Sequence, residues 1–341
     1  MKTYLVNGSS YRLPDMLSDF QLGMYVHLID WKWKHLAQEP GYHNGIPYDA
    51  ILPDKFKAEY HPIYQPVVNR FVSHQKRFPF KSHTFIGHMA SSQAACANLF
   101  LPLLQYPDTA AQVLCAVKTD LHKIATEYFD SGYRLEFWDE PDNMLNDHNP
   151  ASGTDADIAI AYRDEAGNLK LWLIEHKLTE QEFTSCGGYK SKNRDGQMHR
   201  CDSIADIIDD RRLCYYHSGC GYRYWDITLS SASCFTVENL LAHKKCPFKG
   251  GLNQLWRNQL LAIALQNSKS SQWPFTSVYF SVVHHPKNQS LAPTIESFKQ
   301  LTGYTDKFFA FSSSELIKQA KHVDSAPLQD WLTWYQDLYY Y

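Results

Sequence analysis

Three stretches in the middle of the chain read as strands, and in the second and third Ile158 and Ile160 alternate with Ala159 and Ala161, and Leu169, Leu171 and Leu173 with Lys170, Trp172 and Ile174, a period of two. They are YRLEFWDE (Tyr133 to Glu140), DADIAIAYRD (Asp155 to Asp164) and LKLWLIEHKLTE (Leu169 to Glu180). A period of two is the mark of a β-strand, whose successive side chains point to opposite faces. DEAGN joins the second and third stretches, and its Gly167-Asn168 pair reads as a hairpin turn. FTSVYFSVVHH (Phe275 to His285) reads as a further strand. Helical spacing appears in Met16 to Ala37, in SSQAACANLFLPLL from Ser91, and in GGLNQLWRNQLLAIALQ (Gly250 to Gln266). Ser91 or Ser92 can cap the second of these helices, and Pro102 limits or kinks it. In the third, Leu252, Leu255, Trp256, Leu260 and Ile263 share one face. The tail segments SELIKQAKHV and PLQDWLTWYQDLYYY also look helical.

From residue 91 the order is therefore helix, three strands, inserted segment, helix, strand. That order predicts an α/β core in which helices cover both faces of a mixed sheet. Residues 1–87 form an N-terminal helical and irregular extension. Residues 88–178 are the first part of the core, 179–249 a Cys-rich insertion, and 250–341 the rest of the core with C-terminal helices.

Bulk composition narrows the function without naming it. The chain has 341 residues, 44% of them hydrophobic, so a large core can form. A formal net charge of −3 gives no global basic field, so any nucleic-acid contact must use local patches. Three exist: Lys190 to Arg194 with His199 and Arg200, His243 to Lys249, and Lys76 to His83. Lys190, Lys192, Arg194, Lys244 and Lys245 are the candidate phosphate contacts. Tyr189, Tyr215, Tyr216, Tyr222, Tyr224 and Trp225 are candidate base-stacking rings. The opening MKTYLVNGSSYRLPDML has no signal-peptide run, and no stretch has 18 uninterrupted apolar residues. The expectation is a cytoplasmic protein whose eight Cys are thiols or metal ligands rather than disulfides.

The chemistry begins where the third strand ends. Glu175 and Lys177 are two apart and so point to one side of it. The hairpin brings the start of the second strand to the same edge, where Asp157, directly before IAI, fits better than the alternative Asp155, a hydrogen-bonding neighbour or turn cap. Two close carboxylates repel unless a cation lies between them. Hard oxygen ligands suit Mg²⁺ or Mn²⁺, and the backbone carbonyl of His176 offers another oxygen. Beside a metal-bound water, Lys177 could orient the water, help lower its pKa or neutralise charge on a phosphate. This outlines metal-assisted phosphodiester hydrolysis.

GTDADIAI followed by IEHK resembles the D-x(n)-E-x-K signature of the PD-(D/E)xK nuclease superfamily, and the element order resembles its restriction-endonuclease-like core. The resemblance covers roughly residues 91 to 285. GGLNQLWRNQ resembles the Q-x-x-x-(Y/R) helix of RecB-like members, which implies that Gln254 braces the site. Arg257 is a phosphate contact by the same resemblance, although the spacing here is Q-x-x-R and Asn258 occupies the usual position. HMASSQAACANLF with CPFKGGLNQLWRN is similar to a bacterial group of restriction-endonuclease-like proteins. The superfamily often has a Glu or His in its first core helix. Here His88 and Gln93 are the nearest candidates, and Glu136 is another ligand candidate. The resemblance implies a Mg²⁺-dependent deoxyribonuclease in restriction or defence. The alternative is a non-catalytic nucleic-acid-binding module that retains the fold.

Six of the eight Cys fall between Cys186 and Cys246. Clustering in a polar insertion with little core of its own suggests soft metal ligation. There is no CxxC pair, so the zinc-ribbon pattern is missing. Cys186, Cys214, Cys220 and Cys246 form the favoured set, with a [4Fe-4S] cluster and Zn²⁺ both open.

Overall fold

The computed structural model describes residues 2–149, 152–190 and 203–340, with the backbone alone at Lys190. In chain order the elements that matter most are α1 (Asp19–His35), α2 (Gln65–Arg77), α3 (Ser92–Leu104), β1 (Lys123–Ile124), β2 (Tyr133–Phe137), β3 (Ala156–Arg163), β4 (Leu169–Lys177), α4 (Leu252–Gln266), β5 (Ser277–His284), α5 (Ala292–Leu301), β6 (Phe308–Ser312), α6 (Ser313–Ala320) and α7 (Ala326–Tyr339). One mixed sheet runs β6-β5-β4-β3-β1, and β2 also pairs with β3. The β6/β5 and β5/β4 pairs are parallel. The β4/β3, β3/β2 and β3/β1 pairs are antiparallel.

β3 and β4 are central strands, and their apolar residues point both ways because helices cover both faces. On one face Ile158, Ile160, Tyr162, Trp172 and Ile174 pack into a core with α1, α2, α3, α6 and α7. On the other, Ala159, Ala161, Leu171 and Leu173 pack under α4 and α5. The small alanines let the second helical layer approach closely. Ser91 caps α3 by accepting from the Ala94 amide at 3.3 Å, as its sequence position predicts. Pro102 lies inside α3, and the helix continues to Leu104. α1 begins with a capping box between Ser18 and Gln21.

Two expectations need correction. The insertion does not lack a core. Ile204, Ile207, Tyr224, Trp225, Phe235, Leu240 and Phe248 are buried and join the core beneath α4. Phe248 stacks on Trp256 with ring centroids 4.0 Å apart, Trp225 lies 5.2 Å from it, and the Trp256 indole donates to Thr228 at 2.8 Å. Tyr224 and Trp225 are thus core residues, closed to a stacking base. Secondly, the N-terminal extension is not only helical and irregular. It holds two hairpins, Lys2–Val6 with Ser9–Leu13 and Gly41–His43 with Ile46–Tyr48. Each turns on an Asn-Gly pair with positive φ at both residues, Asn7-Gly8 and Asn44-Gly45. That is the two-residue turn whose twist matches paired strands. Gly41 is needed for close approach, because a Cβ there would meet the Leu52 carbonyl oxygen at 2.5 Å.

Trp256 is the hub that ties the insertion to α4. Trp256→Ala is expected to lower unfolding free energy by about 3–5 kcal/mol, the usual cost of emptying a buried aromatic site. A guanidinium chloride melt followed by circular dichroism measures it.

Candidate active site

The β3/β4 ladder pairs Ile158 with Ile174, so one step on Asp157 falls opposite Glu175. Opposed residues share a face, and Lys177 shares it with Glu175. The Lys177 Nζ lies 3.0 Å from Glu175 Oε1. Asp157 accepts from the His176 amide through Oδ2 at 2.6 Å. The sheet thus brings together the acid, acid and lysine expected from the sequence.

α4 presents one turn of amides to Glu175. Gln254 Nε2 donates to Oε1 at 2.7 Å, and Asn258 Nδ2 donates to Oε2 at 3.0 Å. Gln254 is itself fixed, because its Oε1 accepts from the Thr184 amide at 3.1 Å. Residues four apart share a helix face, which is why Asn258 rather than Arg257 reaches Glu175. Arg257 turns aside and donates to the Gly153 carbonyl at 3.3 Å. Asn258 stands at the usual position of the helix motif, and that position was its sequence signal.

Glu136, on β2, takes a φ of +45°, the left-handed region that a non-glycine residue rarely adopts. The conformation has a visible consequence. Leu135 packs in the core under α3 while Phe137 packs in the core under α4, although residues two apart normally share a face. The reversal lets Glu136 meet the start of α3, where Gln93 Nε2 donates to its Oε1 at 2.8 Å. Strained backbone of this kind clusters at functional sites.

Beyond Lys177, Glu180 Oε2 accepts from the amides of Leu178 and Thr179 at 2.8 and 3.0 Å, and its other oxygen accepts from Ser92. Sequence reasoning missed Glu180 and Ser92, whose link spans α3 and the end of β4.

The electrostatics follow from this crowding. Burial pushes the Glu136 carboxyl up to about 8, partly offset by the Gln93 hydrogen bond and reinforced by Asp155 and Glu175. Burial likewise raises Asp157 well above the usual carboxylate range, with Glu175 and Glu136 adding repulsion that Lys177 and the His176 amide only partly relieve. Burial alone would lower the Lys177 ammonium, but Glu175, Glu180 and Asp157 outweigh it and hold the pKa above its ordinary value. Lys177 is therefore a fixed cation. His176 lies almost wholly buried, and burial with Lys177 nearby holds it down to about 3, so its imidazole is neutral. His88 is also neutral, lowered by burial to about 4, and Tyr25 and Tyr48 pack around it.

These groups form the floor of a cavity of about 970 Å³. Its opposite wall comes from the N-terminal extension, including His43, Ile46, Tyr48, Lys81, His83 and Phe85. Among the described residues no three His, Cys, Asp or Glu side chains gather closely enough to hold a metal ion. The cysteine set is part of that result. Cys186 and Cys220 each interact electrostatically with Cys214, and none of Cys186, Cys214, Cys220 and Cys246 is in a disulfide. Cys186 hydrogen-bonds through its amide to the Lys249 carbonyl, in the turn that begins at Cys246. The expected iron–sulfur or zinc centre thus has no preformed ligand group among the described residues, and Cys201 lies outside them. Lys244 and Lys245 are exposed, away from the cavity lining. Lys192, Arg194, His199 and Arg200 lie outside the described residues, as does the Lys190 side chain.

A mixed α/β fold with an acid–acid–lysine cleft at the end of a strand hairpin is the class that fold and site define. The chain belongs to a family described as "Restriction Endonuclease associating with ARP", whose model matches residues 31–340, most of its length. It is therefore a restriction-endonuclease-related protein. No curated protein and no solved structure matches it. No helix among the described residues is long and apolar enough to cross a membrane.

Two outcomes test the geometry. In metal-free protein, a Glu136 carboxyl raised from 4.5 to about 8 means that the folded state binds more protons than the unfolded state between those values. Stability should then fall as pH rises through that window. Glu136→Gln should flatten the fall, and thermal melts in EDTA from pH 5 to 9 check it. Asn258→Ala removes the donor to a buried carboxylate oxygen. A urea melt should show a loss of about 1–3 kcal/mol, the cost of an unsatisfied buried acceptor.

Proposed function

We propose that the chain is a divalent-metal-dependent nuclease of the PD-(D/E)xK type that hydrolyses DNA phosphodiester bonds, in restriction or defence. The observation that carries this reading is the convergence of Asp157, Glu175 and Lys177 on one face of the β3/β4 hairpin, with Glu175 braced by Gln254 from α4. Family membership supports the same substrate class.

The donor chemistry fits Mg²⁺ or Mn²⁺. Mg²⁺ is commonly held by one or two carboxylates, with water and substrate phosphate completing its shell. A cluster of three protein side chains is therefore not required. Asp157 and Glu175 would hold the ion, with the His176 carbonyl as a further oxygen. Bound there, it would supply a Lewis acid and a more acidic water. Asp157 and Glu175 stand opposite one another on the ladder, and a cation between two such carboxylates would relieve their repulsion.

The chain's own residues do the rest. Asp157 is oriented by the His176 amide, and Glu175 by Gln254 and Asn258. Lys177 stays protonated among carboxylates, so its part is to align the attacking water and neutralise charge growing on the phosphate, not to accept a proton. Glu136, held by Gln93, is a further carboxyl lining the same cleft.

Cleavage of plasmid and single-stranded DNA with Mg²⁺ or Mn²⁺ tests the reading. Wild type should cut and EDTA should stop it. Glu175→Gln, Asp157→Asn and Lys177→Met should each lower the rate by at least roughly 10²–10³-fold, the range for losing a key transition-state group. Equal cutting by all four proteins would remove the site from the chemistry. DNA binding without cutting under any condition would favour a non-catalytic binding module.

A further inference from the structure

The wall opposite the carboxylates is not accounted for by hydrolysis. It is built by the hairpin Gly41–His43/Ile46–Tyr48 and the loop from Lys81 to His88. At its rim three rings meet. His43 and Phe85 have centroids 5.0 Å apart and planes inclined at 59°, and His83 lies 5.4 Å from Phe85 at 45°. None of these contacts is a parallel stack, so the ring faces are not consumed by one another. His43 and His83 are exposed, and Phe85 keeps 37% of its surface exposed. An exposed Phe beside two imidazoles and the exposed Lys81 is an unusual surface for a wall that needs only to exclude water.

The rim is tied to the floor through one side chain. Gln93 Oε1 accepts from the His83 amide at 2.8 Å, while Gln93 Nε2 donates to Glu136 at 2.8 Å. A single amide group therefore sets the distance between the ring cluster and the carboxylates. The His83 ring is fixed as well, because its Nδ1 accepts from the Phe85 amide at 3.2 Å. The hairpin is held rigidly from behind. Gly41 donates to the Ile51 carbonyl at 2.7 Å, and Asp49 forms a two-pronged ion pair with Arg12.

We propose that His43, His83 and Phe85 form a stacking platform for an unpaired base next to the scissile phosphate, so that the preferred substrate is single-stranded or locally splayed nucleic acid. This rests on the nuclease reading of the floor and adds the substrate class. Every base has a π-face, so aromatic stacking holds a strand without reading its sequence. In an intact duplex those faces are covered by neighbouring bases, and enzymes working in closed pockets take the nucleotide out of the stack. Exposed Lys81 supplies the positive charge that the phosphates flanking such a base need, and the imidazole rings offer polar edges beside it. A platform fixed to Glu136 through Gln93 would place the base and the phosphate in one register.

The test separates this platform from the chemistry. Full-length protein in EDTA is titrated against a single-stranded oligonucleotide carrying 2-aminopurine and against the matching duplex. Wild type should quench the fluorescent base and bind the single strand more tightly. Phe85→Ala should weaken single-strand binding by roughly 5- to 150-fold, the equivalent of one lost stacked base. Duplex binding should hold, and Phe85→Trp should restore both affinity and quenching. Unchanged single-strand binding by Phe85→Ala overturns the proposal, as does equal weakening on both substrates or wild type that favours the duplex. Loss of the nuclease reading appears separately, as wild-type protein that cuts nothing with Mg²⁺ or Mn²⁺ while Phe85 still governs single-strand binding.

Discussion

Three carboxylates share one end of the sheet with a single fixed cation. Burial raises the Asp157 and Glu136 carboxyls, neighbouring carboxylates add to the rise, and Lys177 relieves Asp157 only in part. Much of the surrounding architecture holds this arrangement in place. Glu175 takes two amide donors from α4 and an ammonium from its own strand. Asp157 takes a backbone amide across the ladder, and Glu136 takes an amide from α3. Helices on both sides of the sheet therefore donate to it.

The two helical layers have different tasks. α3, with its Ser91 cap, is buried against Ile158, Ile174 and the C-terminal helix α7. Its first turn delivers Ser92 to Glu180 and Gln93 to Glu136. α4 is anchored by Trp256, which the insertion encloses with Phe248 and Trp225. That enclosure fixes the rotation of α4, and the rotation decides that Gln254 and Asn258, not Arg257, face the sheet. The insertion thus bears on the site through packing. Its Tyr224 and Trp225 serve as core, while the extension at the other end of the chain supplies the exposed rings.

Much of the sheet was legible because its rules are local. Alternation located β3 and β4, strand-like stretches located β2 and β5 to within a few residues, and Gly167 in the hairpin turn has a φ of +81°. The edge strand β6, the two-residue β1 and the helices α2 and α5 were not singled out. β6 and β1 are short, and α2 and α5 follow Pro-containing stretches that read as loop. The Asn-Gly turns of the N-terminal hairpins were a usable signal that the surrounding Pro, His and Tyr obscured.

Within the site, the sequence by itself placed Asp157, Glu175 and Lys177 together. A period of two and a tight turn leave few other arrangements. Periodicity located the helix, and Gln254 was singled out on it by the motif it resembles. Only the tertiary structure decided that Asn258 joins it, because one residue of helical rotation is set by packing around Trp256. Glu136 required a left-handed backbone that no propensity predicts, stabilised by a glutamine 43 residues away. The His43, His83 and Phe85 wall depends on a hairpin folding back over a sheet that begins far along the chain. Local sequence specifies elements and the groups they carry. Contacts between distant elements are settled by burial summed over the whole fold, and those contacts shape the cleft.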